Sequence, residues 1–243
     1  WTANPLQQGQ NTTLSATATD GLSGLASVQY SVDGGTPQNM TYNSNSGKWE
    51  ASFGSALAAN TYNITVTATD QAGNVSIING NSTDILAVYN AANGYVTGHA
   101  KTLPTASDVM PIPRDTSNNP TKLIAGFSNV TSPMSGSFDV NYKIQNNQNE
   151  FNLSSTSINW VVVADSTHAS ILGKATLTVY QNGVMTQTQN MSVRFDITLG
   201  TNGNPDTISI KIYNPADNPS TATPVYTIND TVIPNGSNLM IRP

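Results

Sequence analysis

The chain contains no cysteine, so neither a disulfide framework nor thiol chemistry is open to it. Its two histidines, His99 and His168, leave no nitrogen-and-sulfur ligand set for a zinc site. Charge is scarce as well: only 9% of the 243 residues are Asp, Glu, Lys or Arg, against about 25% in an average soluble domain. Nine cations over that length make no basic footprint for a nucleic-acid backbone. No apolar run exceeds five residues, as at Trp160 to Ala164, whereas a membrane-spanning helix needs roughly 20. These absences predict no nucleic-acid partner and no membrane span in this chain.

What fills the gap is neutral and polar. Asn, Gln, Ser and Thr together account for 97 residues. The 37% apolar content falls in periodic runs, which argues for a folded chain. Cytosolic proteins stay soluble largely through surface charge, so an exterior of amides and hydroxyls points to an extracellular, cell-surface location. A chain that opens on Trp1 is expected to be a processed or trimmed piece of something longer.

The apolar period is two nearly everywhere. Leu14, Ala16 and Ala18 alternate with Ser15, Thr17 and Thr19; Tyr62, Ile64, Val66 and Ala68 alternate with Asn63, Thr65 and Thr67. Such alternation predicts half-buried antiparallel strands. Asp33-Gly34-Gly35 after Val28, Tyr30 and Val32 reads as a tight turn, and nothing before residue 90 reads as a helix. Residues 91–135 carry five prolines, which predicts edge strands and long connections. Strands return at Phe138 to Ile144, at Ile158 to Val163 (apolar but for Asn159 and unbroken from Trp160, hence expected to be buried on both faces), and at Ile208, Ile210 and Ile212. Ala175 to Tyr180 and Val184 to Gln189 flank Asn182-Gly183, whose positive φ angles suit a two-residue hairpin. Val225 to Ile241 has room for two more short strands. The prediction is an all-β protein of two domains, residues 1–89 and 90–243.

The motifs Thr2-Ala3-Asn4-Pro5, Gly9 to Leu14, Tyr30 to Gly35 and Ala68 to Asn74 resemble those of bacterial and archaeal immunoglobulin-like repeats. The resemblance covers residues 1–89 and implies an immunoglobulin-like β-sandwich of a secreted or surface protein. Gly94 to Gly98, Phe151 to Val163, Asp206 to Tyr213 and Val225-Tyr226 are similar to an all-β module that follows such repeats at the carboxyl end of large surface proteins. That implies a C-terminal antiparallel β-sandwich or jelly-roll-like domain, with no catalytic residue to carry over. A Thr/Gln-rich hairpin, residues 175–190, stands where that module is glycine-rich, and Tyr213 where it has Trp.

Several groups are candidates for chemistry. Asp165, Ser166 and His168 contain the residue types of a catalytic triad, but a triad converges through space, and neighbours on one loop read equally as a turn. Glu50 and Glu150 each adjoin an aromatic, the setting in which a carboxyl can serve as a general acid. Asp20, Asp70 and Asn74 sit on loops that a sandwich brings to one end; with loop carbonyls they make a candidate calcium site, and equally they suit turn capping. Glycosylation sequons begin at Asn11, Asn39, Asn63, Asn74, Asn81, Asn129, Asn152, Asn190, Asn229 and Asn235. Tyr42, Trp49, Tyr95, Trp160 and Tyr213 are the aromatics available to a sugar platform.

The sequence therefore predicts a non-catalytic structural or interaction protein, a building block of a surface layer, filament or adhesin. No cofactor is required, with calcium as the one candidate. Partners are copies of itself, other surface proteins or glycans, and strand exchange between copies would use Ser137 to Ile144 or Thr231 to Ile241. The alternative reading is a pair of accessory or carbohydrate-binding domains from a secreted enzyme.

Overall fold

The computed structural model describes residues 1–77, 83–92, 94–144, 148–217, 219 and 222–243. Contacts divide the chain into two compact units, Trp1–Tyr89 and Asn90–Pro243. The described residues hold strands and turns and no helix.

The first unit contains β1 (Leu6–Gln7), β2 (Thr12–Ala16), β3 (Leu25–Val32), β4 (Gln38–Asn39), β5 (Thr41–Asn43), β6 (Lys48–Phe53), β7 (Asn60–Asp70), β8 (Val75–Ile77) and β9 (Thr83–Tyr89). One sheet runs β1-β9-β7-β3-β4 with β8 also on β7; the other runs β2-β6-β5. β1 lies parallel to β9, Leu6 opposite Val88, and the remaining pairs are antiparallel. This is an immunoglobulin-like sandwich, in which strands adjacent in sequence cross between two facing sheets. Alternation puts Leu14 and Ala16 of one sheet against Val28, Ile64, Val66 and Leu86 of the other, with Trp1, Trp49 and Phe53 packed at the margin. The turn after β3 places Asp33 at φ +49° and Gly34 at +70°, the conformation its sequence predicts.

The second unit contains β10 (Tyr95–Thr102), β11 (Leu123–Thr131), β12 (Ser135–Ile144), β13 (Asn149–Val163), β14 (His168–Gln181), β15 (Val184–Thr198), β16 (Thr207–Tyr213), β17 (Tyr226–Thr231) and β18 (Met240–Arg242). They form one antiparallel sheet in the order β17-β16-β15-β14-β13-β12-β11-β10-β18. Sequence neighbours are spatial neighbours from β10 to β17. The expected antiparallel all-β character therefore holds, while the connectivity is an up-and-down meander without the crossing connections of a jelly roll. Asn182 (φ +51°) and Gly183 (φ +78°) make the turn of the β14–β15 hairpin. As its composition requires, Trp160 to Val163 is buried on both faces.

The sheet curls until its two ends meet. Thr102 of β10 bridges Val232, just beyond β17, and the Ile233 N–H donates to the Lys101 carbonyl at 2.7 Å. Asn238 continues the seam: its N–H donates to the His99 carbonyl (3.0 Å) and its Oδ1 accepts the His99 N–H (2.8 Å). Gly98, at φ +97°, permits this approach, because a Cβ there would collide with the Asn238 carbonyl. All these strands contribute to one core, including Phe127, Phe138, Phe151, Leu177, Phe195, Ile210 and Ile228.

Three expectations about edges are corrected. Ser137 to Ile144 lies in β12, whose backbone is paired on both sides, to β11 and to β13. It offers no free edge, and strand-like alternation alone does not tell a central strand from an edge one. Met240 to Arg242 is seated on β10 as β18. β10 itself, expected as an edge in a proline-rich stretch, is paired to β11 on one side and β18 on the other.

Candidate functional site

Asp20, Asp70 and Asn74 do come together, lining one open groove of about 550 Å³ in the first unit with Thr17, Ala18 and the exposed β8. Three of their carboxylate oxygens, however, are engaged in turns. Asp20 Oδ1 accepts the N–H groups of Gly24 (2.6 Å) and Leu22 (3.0 Å) and the Ser23 hydroxyl (3.4 Å). The Gly24 N–H, then that of Leu22, hold its carboxyl below the usual range. Asp70 Oδ2 accepts from Asn74 Nδ2 and Oδ1 from the Asn74 N–H, both at 2.8 Å. The Asn74 side chain is the main cause of the lowered Asp70 pKa. Calcium binds oxygen, and here the Asn74 amide turns its nitrogen to the Asp70 carboxylate. Among the described residues no three His, Asp or Glu side chains converge as metal ligands. The geometry is that of two Asx-capped loops.

Around Asp165 the structure assembles a turn. The Thr167 hydroxyl (2.6 Å) and N–H (2.7 Å) and the His168 N–H (2.8 Å) donate to Asp165 Oδ1, and His168 Nδ1 lies 3.0 Å from both carboxylate oxygens. Burial pushes the Asp165 carboxyl up, but the Thr167 and His168 contacts outweigh it and bring it down to about 2. The acid–base contact is present, and it is Thr167, not Ser166, that the loop folds onto the carboxylate.

Both glutamates serve as staples. Glu50 accepts from Asn43 Nδ2 (2.8 Å) and the Ser46 hydroxyl (2.7 Å), pinning the β5–β6 turn. Glu150 pairs with Lys143 Nζ at 3.1 Å across β12 and β13. Of the aromatics, Trp160 and Tyr213 are buried, whereas Tyr42 is 53% exposed with its ring 5.6 Å from that of Trp49.

Of the sequon asparagines, Asn11, Asn39, Asn63, Asn74, Asn129, Asn190, Asn229 and Asn235 are exposed and Asn152 is half-buried on β13. Asn81 lies outside the described residues. Asn74 has its Nδ2, the atom a glycan joins, engaged by Asp70.

One further group belongs to no motif. Asp230 is 5% exposed, and neither of its oxygens nor the buried Thr102 Oγ1 has a hydrogen-bond partner among the described residues. Its sequence signal is the alternation Ile228, Asp230, Val232, which places a carboxylate on the inward face of a strand.

Comparison with known proteins bears on the first unit. Residues 3–66 match the bacterial Ig domain family, so the chain carries an N-terminal bacterial Ig-like domain, in keeping with the sandwich described above. No curated protein and no solved structure matches the chain.

Proposed function

We propose that this chain is a non-catalytic structural module of an extracellular assembly, acting through contact between surfaces of amides and hydroxyls. The observation that carries the reading is the bacterial Ig domain at residues 3–66, a domain type consistent with a surface, structural or adhesive role. The composition supports it: with 9% charged residues, copies approach one another without strong like-charge repulsion.

Within this reading, strand pairing between copies falls to the first unit. Among the described residues β8 pairs with β7 alone. It presents Val75 at 65% and Ile77 at 45% exposure beside the groove along residues 17–20. An unpaired edge with apolar side chains is a template for another strand. The ends Thr231 to Ile241, once seated in their own sheet, are not needed for it. The assembly is a surface layer, a filament or an adhesin stalk, glycosylated at exposed sequons, and calcium is not required for it.

The test is self-association. Light scattering over a concentration series and electron microscopy of the native material are expected to show ordered oligomers. Replacing Val75 or Ile77 by Lys is expected to abolish them. A protein that stays monomeric at every concentration, and a native source without fibre or lattice, would overturn the reading.

A second reading, an accessory carbohydrate-binding domain, rests on the exposed Tyr42 against Trp49. Retention on an insoluble polysaccharide, lost in Tyr42→Ala, would favour it.

A further inference from the structure

Where the curled sheet closes, two acids meet without a base. Asp230 points inward from β17, between the buried Ile228 and Val232. The element across the seam, β10, contributes Thr102, whose buried hydroxyl makes no hydrogen bond of ordinary geometry but lies near enough to Asp230 to lower its pKa. β16, on the other side, faces the core with Ile208 and Ile210. The segment after β10 contributes Asp108, a second carboxylate acting on Asp230. Lys101 and His99 alternate with Thr102 along β10 and so belong to its other face. Among the described residues no cation is placed to neutralise Asp230.

Asp108 also fastens a strap across the seam. Its Oδ1 accepts the Asn229 N–H at 3.0 Å, and its Oδ2 accepts the Thr105 N–H (2.5 Å) and hydroxyl (2.9 Å). The next residue, Val109, exchanges two backbone hydrogen bonds with Thr227, at 2.8 and 2.9 Å. The strap is therefore bonded to β17 on both sides of Ile228. With Asp108 accepting three donors, Asp230 is the carboxyl left to carry a proton. A buried carboxylate without a donor is unfavourable enough that the group takes up a proton instead.

We propose that Asp230 holds a proton, making the strap over the seam a pH-sensitive latch that is closed in acid and loosened as the proton leaves to water. Loss of the proton leaves two carboxylates facing each other across the closure, with the Thr102 hydroxyl alone to ease the charge. Burial is the main cause that raises the Asp230 pKa, with Asp108 adding to it and Thr102 opposing it, to about 6. A carboxyl raised in this way binds its proton more tightly in the folded than in the unfolded state. Its stabilisation is complete below its unfolded pKa, about 4, and is lost as pH rises through about 6. A shift of about two pH units corresponds to a ~100-fold change in the unfolding equilibrium.

The experiment is denaturant unfolding of the full chain at a series of pH values, alone, with added calcium and with a chelator. Amide exchange is followed at Val109, Thr227 and Asn229. The expected result is a ~100-fold loss of stability between about pH 4 and pH 7, accompanied by falling protection of those amides. In Asp230→Asn, which keeps the shape without the titration, both are expected to be flat over that window. A wild-type chain that is flat there, or an Asp230→Asn variant that keeps the slope, overturns the proposal. Stability restored at neutral pH by calcium and removed by the chelator overturns it too, in favour of a bound cation. If Asp230→Asn does not fold, Asp108→Asn and carboxyl carbon NMR of the wild type decide: the titration midpoint assigned to Asp230 should move toward acid when Asp108 is neutralised, and an unmoved midpoint sinks the pairing.

Discussion

Gly98 and Asn238 lie backbone against backbone, so close that any β-carbon at position 98 would collide with the Asn238 carbonyl. Their contact carries the extended segment after β17 along β10 and completes the closure that Thr102 and Val232 begin. A positive φ of 97° at Gly98 adds a conformational demand that an L-residue meets only with strain. Gly98→Ala is expected to destabilise the C-terminal unit by about 1–3 kcal/mol, measured by urea unfolding. Amide exchange should show the loss concentrated at His99 and Asn238.

The core offers a harder test of packing. Phe195 is fully buried, with its ring edge-on to Phe127 (5.2 Å) and Phe138 (4.8 Å). Phe195→Ala removes the ring that joins those strands and should cost about 3–5 kcal/mol. Phe195→Leu, which refills much of the volume, should cost clearly less in the same unfolding assay.

The β14–β15 turn is a local test. At Gly183, φ +78° favours glycine and a Cβ would meet Gln148 Oε1 at 2.5 Å. Gly183→Ala should cost about 1 kcal/mol. Cross-strand nuclear Overhauser contacts are expected to persist in the outer half of the hairpin and weaken at its tip.

At the acid end the sign of the pH dependence reverses. Asp115 accepts the N–H of Ser117 (3.0 Å), then the N–H (2.8 Å) and hydroxyl (2.9 Å) of Thr121, and its own N–H donates to the Tyr142 hydroxyl at 2.6 Å. The Ser117 and Thr121 donors hold its carboxyl down at about 2. A depressed folded pKa contributes stability above about pH 4 that is lost as pH falls through about 2. Asp115→Asn should lower the melting temperature at neutral pH and flatten the decline below about pH 4. Thermal scans at a series of acid pH values check both.

If Asp20 and Asp70 act as turn caps, Asp70→Ala should lower the melting temperature, and neither calcium nor a chelator should shift that of the wild type. A calcium-dependent rise in the wild type that Asp70→Ala abolishes would instead make the loops a cation site.

The strands and the tight turns were legible because their signals are local: Leu14 and Ala16 alternate with hydroxyls, and Asn182-Gly183 names its own turn. The meeting of Asp20 with Asp70 was legible too, since a sandwich brings those loops to one end. How their oxygens are used was not, because Asx capping and cation binding select the same residues. Closure of the second sheet left no local trace, as Thr102 and Val232 are far apart in the chain and nothing in either segment names the other. The burial of Asp230 was within reach of the sequence: a carboxylate between Ile228 and Val232 is an inward position. Standing alone between apolar residues, it belongs to no acidic cluster of the kind that marks a metal or acid–base site.

The parallel pairing of β1 with β9 has a mechanical consequence. The Asn4 side chain extends that pairing, donating through Nδ2 to the Ile85 carbonyl (2.7 Å) and accepting the Ala87 N–H (3.0 Å); beyond β1, the Gln8 N–H donates to the Tyr89 carbonyl (2.8 Å). Tension applied between the two ends of the first unit pulls these parallel strands lengthwise past each other, so the bonds bear load together as a shear clamp. In the second unit Tyr95 lies opposite Arg242 on antiparallel strands, and the same pull peels β18 from β10 one bond at a time. A stretched chain should therefore yield first where its last strand is seated, with the immunoglobulin-like unit holding longest.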